Sequence, residues 1–469
     1  MLRICGILRY PAARIKDFLL LLSILLIIHL VFHIRHPIPL PHSTPLIPPS
    51  TPSTTFSHIV FSISSSSSSL PSRAQFIRLW YSPNSTPYTY VFIDKPLQKP
   101  MSTLHFPSVI LSSDTSRFPY TFPRGNPSAI RIARVVKDVF TLANPPPHIR
   151  WFVFGDDDTV FFKRNLLLVL SKYDHKKWFY IGFGSESYEQ NEKFSFGMAF
   201  GGGGFALSAP LARVLAGVLD SCLVRYPHLY GSDSRIFACL SELGVELTRE
   251  PGFHQIDVRG DLFGMLASHP LSLLVSLHHM EALEPIFPGM SKIQSLEHLL
   301  KVADVDSPRI LQQTVCYDRI NLLTVSIAWS YAIQVYEGNQ LLPDLLSLQR
   351  TFKPWRRGKN VQSSHFMFNT REVPSDPCKR PVLFFFYSFG SDSNRVYTSY
   401  IRHNSGTCLR SKAVQTLESI KVFSEVSDYD IEQRKAPRRH CCDILPTINE
   451  TMTIVIRNCA INELISMGS

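Results

Sequence analysis

Charge is sparse in this chain: Asp, Glu, Lys and Arg make up 18% of its 469 residues. The balance is positive, 48 − 37 = +11, yet the basic residues are scattered without dense runs. A nucleic-acid partner calls for a clustered basic footprint, so that class is set aside. Common nucleotide and metal signatures are also missing. No CxxC or Cys/His zinc spacing occurs, and no glycine run ends in GKS or GKT or reads GxGxxG. Zinc modules, P-loops and dinucleotide fingerprints therefore have no support. Disorder lacks its composition as well, since 45% of residues are hydrophobic and 12% aromatic, with 32 Phe. The length suits two or three domains with a large core.

Long uncharged runs are rare too, and the clearest lies near the N-terminus. Phe18 to Ile34 (FLLLLSILLIIHLVFHI) contains no Lys, Arg, Asp or Glu. As a helix rising about 1.5 Å per residue it would reach roughly 25 Å, the short end of a membrane span. Arg3, Arg9, Arg14 and Lys16 precede it and only Arg35 follows closely. That imbalance keeps the N-terminus cytosolic and places the remainder in a lumen. A cleaved signal peptide is the rival reading, but its apolar core usually ends in small residues, whereas this one meets His-Pro-Ile-Pro. The expected plan is a cytosolic tail over 1–17, a transmembrane signal-anchor over 18–34 and a Pro/Ser-rich stem over 35–55. Of nine cysteines, eight follow the anchor, an even number that allows up to four disulfides in an oxidising space. Cys222 and Cys239 bracket one short loop and are the pair expected first. Asn84-Ser-Thr and Asn449-Glu-Thr become usable glycosylation sites only in a lumen.

Past the stem the chain alternates strands and helices. Phe56 to Ile63 and Tyr88 to Ile93 read as buried strands, and Ala129 to Leu142 as an amphipathic helix stopped by Asn144-Pro-Pro-Pro. Arg150 to Gly155 is a buried strand running into Asp156-Asp157-Asp158, Phe179 to Gly182 another, and Leu211 to Leu219 a helix. Such alternation predicts an α/β domain with a mostly parallel sheet, whose ligands collect at the carboxyl ends of strands. Beyond about residue 320, aromatic and β-branched runs such as Leu322 to Tyr336, Pro381 to Ser388 and Met452 to Ile456 predict a β-rich module stapled by cysteines.

Three adjacent aspartates repel one another, so a cation should compensate them. Oxygen ligands on a short loop suit Mg²⁺ or Mn²⁺, which can bridge to a nucleotide diphosphate. In a strand Asp156 and Asp158 share one side and Asp157 faces the other. The bland alternative is a solvated acidic turn. Gly201-Gly202-Gly203-Gly204 gives up packing and backbone entropy, which points to close approach of a ligand, with a flexible loop as the alternative.

The order WFVFGDDDTVFF, YIG, FGMAFGGGGFALS, LYGSDSRIFACLSELGV and LTREPGFHQIDVRGDLFG resembles the Fringe-related glycosyltransferases, closest to a plant branch with a C-terminal module of unassigned function. The resemblance runs from about residue 56 to 460. It implies a GT-A-type fold of glycosyltransferase family 31 over 56–290 and a β-rich, cysteine-containing module over 291–469. It further implies a Golgi type II enzyme that inverts at the anomeric carbon, using a UDP-sugar with Mn²⁺ (or Mg²⁺) and a glycan or glycoprotein acceptor. The family's acidic motif falls on Asp156, Asp157 and Asp158, with Asp158 the expected direct metal ligand. The family's Phe-His motif falls on Phe253-His254, making His254 the other metal ligand, with His278 and His279 as fallbacks. Gly201 to Gly204 would sit beside sugar and acceptor. Relatives carry paired acids where this chain has Asp233-Ser234, so Asp233 is the expected base. If the second acid is the base, Ser234 has replaced it. Asp233 could instead simply cap the following helix.

Overall fold

The computed structural model describes residues 12–35, 53–99, 101, 105–356, 365–392, 395–403, 406, 408–426 and 436–468. It divides into two units, Met1–Ser53 and Thr54–Ser469. The first holds α1 (Ala12–Arg35), whose described side chains, residues 18–30, are exposed and almost all apolar. Among the described residues no helix is long and apolar enough to cross a membrane. The transmembrane span expected over 18–34 is thus not shown by the structure. Most of the expected tail and stem, residues 1–11 and 36–52, lies outside the described residues.

The second unit opens with β1 (Ile59–Ser64), buried along its whole length. Its pleat sends Ile59, Phe61 and Ile63 into one core and Val60 into another, so the sheet is covered on both faces. Then come α2 (Leu70–Trp80), β2 (Thr89–Ile93), β3 (Ser108–Leu111), α3 (Ser128–Asp138) and β4 (Trp151–Asp156). These strands lie parallel in the order β3-β2-β1-β4. α3 buries Ile130, Ala133 and Val136 against Phe152 and Phe154 of β4, the amphipathic face that its spacing predicted.

The chain continues through β5 (Val160–Phe161), α4 (Lys163–Ser171), β6 (Tyr180–Gly182), α5 (Tyr188–Lys193), β7 (Phe205–Ser208), α6 (Ala209–Arg225), α7 (Ser232–Glu242) and β8 (Leu247–Arg249). The sheet extends as β4-β7-β6-β8, with β7 antiparallel to both neighbours and β8 parallel to β6. Cys222–Cys239 joins α6 to α7 with Cα atoms 5.9 Å apart, the pairing expected first. Three short strands follow: β9 (Phe253–His254), β10 (Val258–Gly260) and β11 (Ser276–Leu277). β11 pairs with both β5 and β9, which brings residue 278 beside the turn after β4.

The remainder is β-rich: β12 (Gln313–Asp318), β13 (Leu323–Ala328), β14 (Ala332–Glu337), β15 (Leu348–Gln349), β16 (Phe352–Pro354), β17 (Thr370–Arg371), β18 (Val382–Ser391), β19 (Arg395–His403), β20 (Ser419–Glu425), β21 (Cys441–Ile448) and β22 (Thr451–Arg457). Eight of them form a sheet in the order β12-β13-β14-β18-β19-β20-β22-β21. Cys316–Cys442, Cys378–Cys408 and Cys441–Cys459 staple this region. One hydrophobic cluster runs without a break from Phe61 and Val153 to Val325, Phe384 and Ile454, so the two sheets share a core. β16 also leaves its own region to pair antiparallel with β10.

Candidate active site

β4 ends at Asp156, level with Ser64 of β1, where parallel strands open onto a cavity of about 520 Å³. A tight turn follows, fastened by Thr159. Its hydroxyl accepts from the Asp156 N–H at 2.8 Å and donates to the Gly202 carbonyl at 2.7 Å. The aspartate turn and the glycine run are thereby one device.

The three aspartates divide their work by direction. Asp157 turns away from the cavity and accepts from the hydroxyls of Ser65 and Ser69, each at 2.6 Å, and from Arg73 at 3.0 Å. It docks the serine loop and α2 against the turn. Asp158 is buried and points inward: Oδ1 lies 3.0 Å from His278 Nε2, and Oδ2 lies 3.5 Å from Arg73. Asp156 Oδ2 is 3.9 Å from the same imidazole nitrogen.

Burial opposes charge on all of these groups, and their neighbours decide the outcome. Burial raises the Asp156 carboxyl to about 7; His278 opposes this, while Asp158, Asp233 and Asp157 reinforce it. For Asp158, the His278 imidazolium and Arg73 outweigh burial and hold the carboxyl well below the usual range. In return Asp158 and Asp156 lift His278 to about 9 against its own burial. The His278 imidazole thus sits where a cation is demanded, with Nε2 toward Asp158 and Nδ1 toward the Gln255 carbonyl.

Each of the first three glycines is required by what it faces. A Cβ on Gly201 would come 2.5 Å from Asp233 Oδ1, and one on Gly202 would come 2.1 Å from His278 Cε1. On Gly203 it would meet the backbone of Gln255 at 3.0 Å. The run therefore serves close approach and is not a slack loop. Asp233 lies in the first turn of α7, two residues past the N-cap position. Gly231 is the N-cap, which corrects the reading of Asp233 as a cap. Its carboxylate accepts from the Gly201 N–H and from Ser232 Oγ at 3.0 Å, and burial raises its pKa. Asp233 and Ser234 both line the cavity.

His254 is not brought to the aspartates. Its Nδ1 faces Glu186 at 3.1 Å and its Nε2 faces His269 at 3.0 Å, so both ring nitrogens are engaged. Burial drives His269 down to about 3, leaving it a neutral acceptor. The imidazole at the carboxylates is His278, one of the two fallbacks, and the pairing of β11 with β5 puts it there. Its neighbour His279 stacks on it at 3.8 Å, and on its other partner, Trp355, at 4.5 Å with planes 10° apart. His279 Nδ1 is 3.3 Å from Asp257, whose other oxygen accepts from Ser185 at 2.6 Å.

Sequence reasoning missed Arg73, Asp257 and Trp355, which all line the cavity. None lies near the acidic or glycine blocks in the chain. Trp355 arrives through the β10–β16 pairing and is braced by Arg259, 4.2 Å from its ring centre.

Asp156 and Asp158 offer hard oxygens and His278 an imidazole nitrogen along one cavity wall, although their ligand atoms do not all lie within 4.8 Å of one another. That donor set fits Mn²⁺ or Mg²⁺ beside a diphosphate, and the excess of carboxylate in the cavity supplies the electrostatic reason. A mixed α/β sheet with an acidic cavity at its strand ends suits a glycosyltransferase-type protein without by itself defining one. The comparisons agree at that level: a family model described as Fringe-like matches residues 54–262. A second, described as Protein of unknown function, DUF604, matches residues 190–442, just over half the chain. The chain belongs to that family and is Fringe-related. No curated protein matches it.

Proposed function

We propose that the protein is an inverting, Mn²⁺-dependent hexosyltransferase of the Golgi lumen, held by its N-terminal helix. It would pass a hexosyl group from a UDP-sugar to a glycan or glycoprotein, forming a β-1,3 linkage. The observation that carries this reading is the convergence of Asp156, Asp158 and His278 with Asp233 across one glycine strip in one cavity. A divalent cation held by Asp156, Asp158 and His278 would neutralise the leaving diphosphate.

The chain's own residues supply the rest. Asp233, fixed by the Gly201 N–H and Ser232, takes the acceptor hydroxyl proton as that oxygen bonds to the anomeric carbon and the diphosphate oxygen departs. Burial raises its pKa above the ordinary carboxyl value, which makes the ionised carboxylate a stronger base. Arg73 reaches Asp158 from α2 and holds the turn's remaining charge. Ser234, beside Asp233 in the cavity, favours a second reading, an inactive lumenal carbohydrate-binding protein on the same fold.

The deciding experiment is hydrolysis of a panel of UDP-sugars without acceptor, with and without Mn²⁺. Metal-dependent release of UDP from at least one donor is expected. No hydrolysis from any donor, together with UDP affinity indifferent to Mn²⁺ and to Asp158→Ala, would overturn the transferase reading.

A further inference from the structure

The cavity has a second flank that the metal and diphosphate chemistry leaves unused. The parallel strands β1 and β4 end on one side, which is where a nucleotide belongs in such a sheet. The cavity is also lined by α5 and the loop entering α7, through Gln190, Lys193, Phe194 and Tyr230.

The Phe194 and Tyr230 rings lie 5.9 Å apart and tilt by only 25°. Lys193 Nζ is 4.9 Å from one ring centre and 5.4 Å from the other, so the two rings offer that ammonium a common face. Tyr230 is fixed from behind. The Phe122 ring meets it edge-on at 5.1 Å, and the Tyr120 hydroxyl donates to its carbonyl at 2.9 Å. Despite this bracing Tyr230 is 46% exposed. Beside it the Gln190 side-chain amide has no hydrogen-bond partner among the described residues. The surface is therefore a braced aromatic face beside an unused amide, covered by a single flexible ammonium that a ligand can displace.

That combination is complementary to a pyranose, which has apolar C–H faces and a rim of hydroxyls. A bare peptide hydroxyl or an acyl chain would leave either the rings or the polar rim unmatched. The backbone supplies the register: Tyr230 and Asp233 belong to one short segment, Tyr-Gly-Ser-Asp, so a ring lying on Tyr230 has its hydroxyls near the base. We propose that Phe194 and Tyr230 form the acceptor platform and that the acceptor presents a pyranose ring, a glycan, to Asp233. The proposal rests on the transferase reading above.

The test uses the full chain with UDP and Mg²⁺, and saturation-transfer NMR with the methyl β-glycosides of glucose, galactose and N-acetylglucosamine. At least one glycoside should receive saturation at its ring C–H protons. Tyr230→Ala and Phe194→Ala should each weaken it about five- to tenfold, while Tyr230→Phe keeps it. Metal-dependent UDP affinity should stay at the wild-type value in all three variants, which also reports that they fold. Saturation of none of the three glycosides, or equal affinity in the alanine variants, overturns the platform. So does a loss of UDP affinity in Tyr230→Ala with glycoside binding intact, which would assign the rings to the donor base. Tyr230-dependent glycoside binding in a chain that binds no metal–UDP would keep the platform and remove the transferase.

Discussion

Gly202→Ala tests the site through a single methyl group. The added carbon would lie 2.1, 2.4 and 2.6 Å from Cε1, Nδ1 and Nε2 of His278, where carbon contacts normally rest at about 3.5–4.0 Å. The imidazole must retreat by roughly 1.5 Å. A shift of that size does not leave both the 3.0 Å contact with Asp158 and the 3.3 Å contact with the Gln255 carbonyl in place. Overpacking costs about 1–3 kcal/mol, and breaking a buried ion pair about 3–5 kcal/mol. Arg73, 3.5 Å from the other Asp158 oxygen, retains part of the compensation. We expect a net loss of about 3 kcal/mol in urea unfolding and at least tenfold weaker Mn²⁺-dependent UDP binding by calorimetry. Gly217→Ala is the control, because a Cβ there meets nothing within 4 Å on the exposed side of α6. It should be stabilising by about 0.5–1 kcal/mol. If Gly202→Ala matched wild type in both measurements, the packing of the glycine strip against His278 would be refuted.

Asp157→Ala should lower the unfolding free energy by about 2 kcal/mol, since the two serines and Arg73 lose a buried acceptor. Its metal-dependent UDP affinity should stay within about threefold of wild type; abolition, as expected for Asp158→Ala, would mean that the division of labour is wrong. Replacing Cys222 and Cys239 together with serine should cost about 3 kcal/mol on the chain-entropy model, and non-reducing peptide mapping of the native chain should recover the two cysteines in one linked fragment. Separate fragments would show another pairing. Asp233→Asn should reduce transfer by about 10²–10⁴-fold with UDP binding unchanged. A gain of transfer in Ser234→Asp from an undetectable wild-type rate would instead favour the inactive binding protein.

Period and punctuation made much of the first sheet legible. The buried run before the serines, the YTYVFI run and the strand entering the aspartates are in place as β1, β2 and β4, and the helix expected to run to Leu142 is α3, which ends at Asp138 and passes into a π-turn over Val139–Ala143. Strict local pattern carried them, because each buries a face that its own spacing defines. α2 was not legible: it starts at Leu70 directly after six serines, and composition there says linker. What organises the serines is Asp157, far along the chain. The imidazole assignment had the same difficulty. Phe253-His254 and Ser276-Leu277 are both short strands, the second followed at once by His278, and β11 lies between β9 and β5. Only that pairing decides which histidine meets Asp158, and sequence order does not encode it. Trp355 was beyond reach for the same reason, since its approach depends on β16 crossing to β10.

That crossing has a consequence for how the molecule can be inherited. The two family matches overlap over 190–262, the stretch that holds the glycine strip, Asp233 and β10. Past the overlap, Phe263 and Phe287 pack on Tyr331, and β16 covers the edge of β10 while delivering Trp355 to the cavity wall. A chain ended at residue 290 would bare that edge and those rings, and the cavity would lose a wall. A recombination event between the halves would therefore have to carry a matched strand, a matched aromatic and a matched core in one step. The C-terminal region and the half that carries the cavity are thus coupled through a shared sheet edge, and substitutions in one should be constrained by the other.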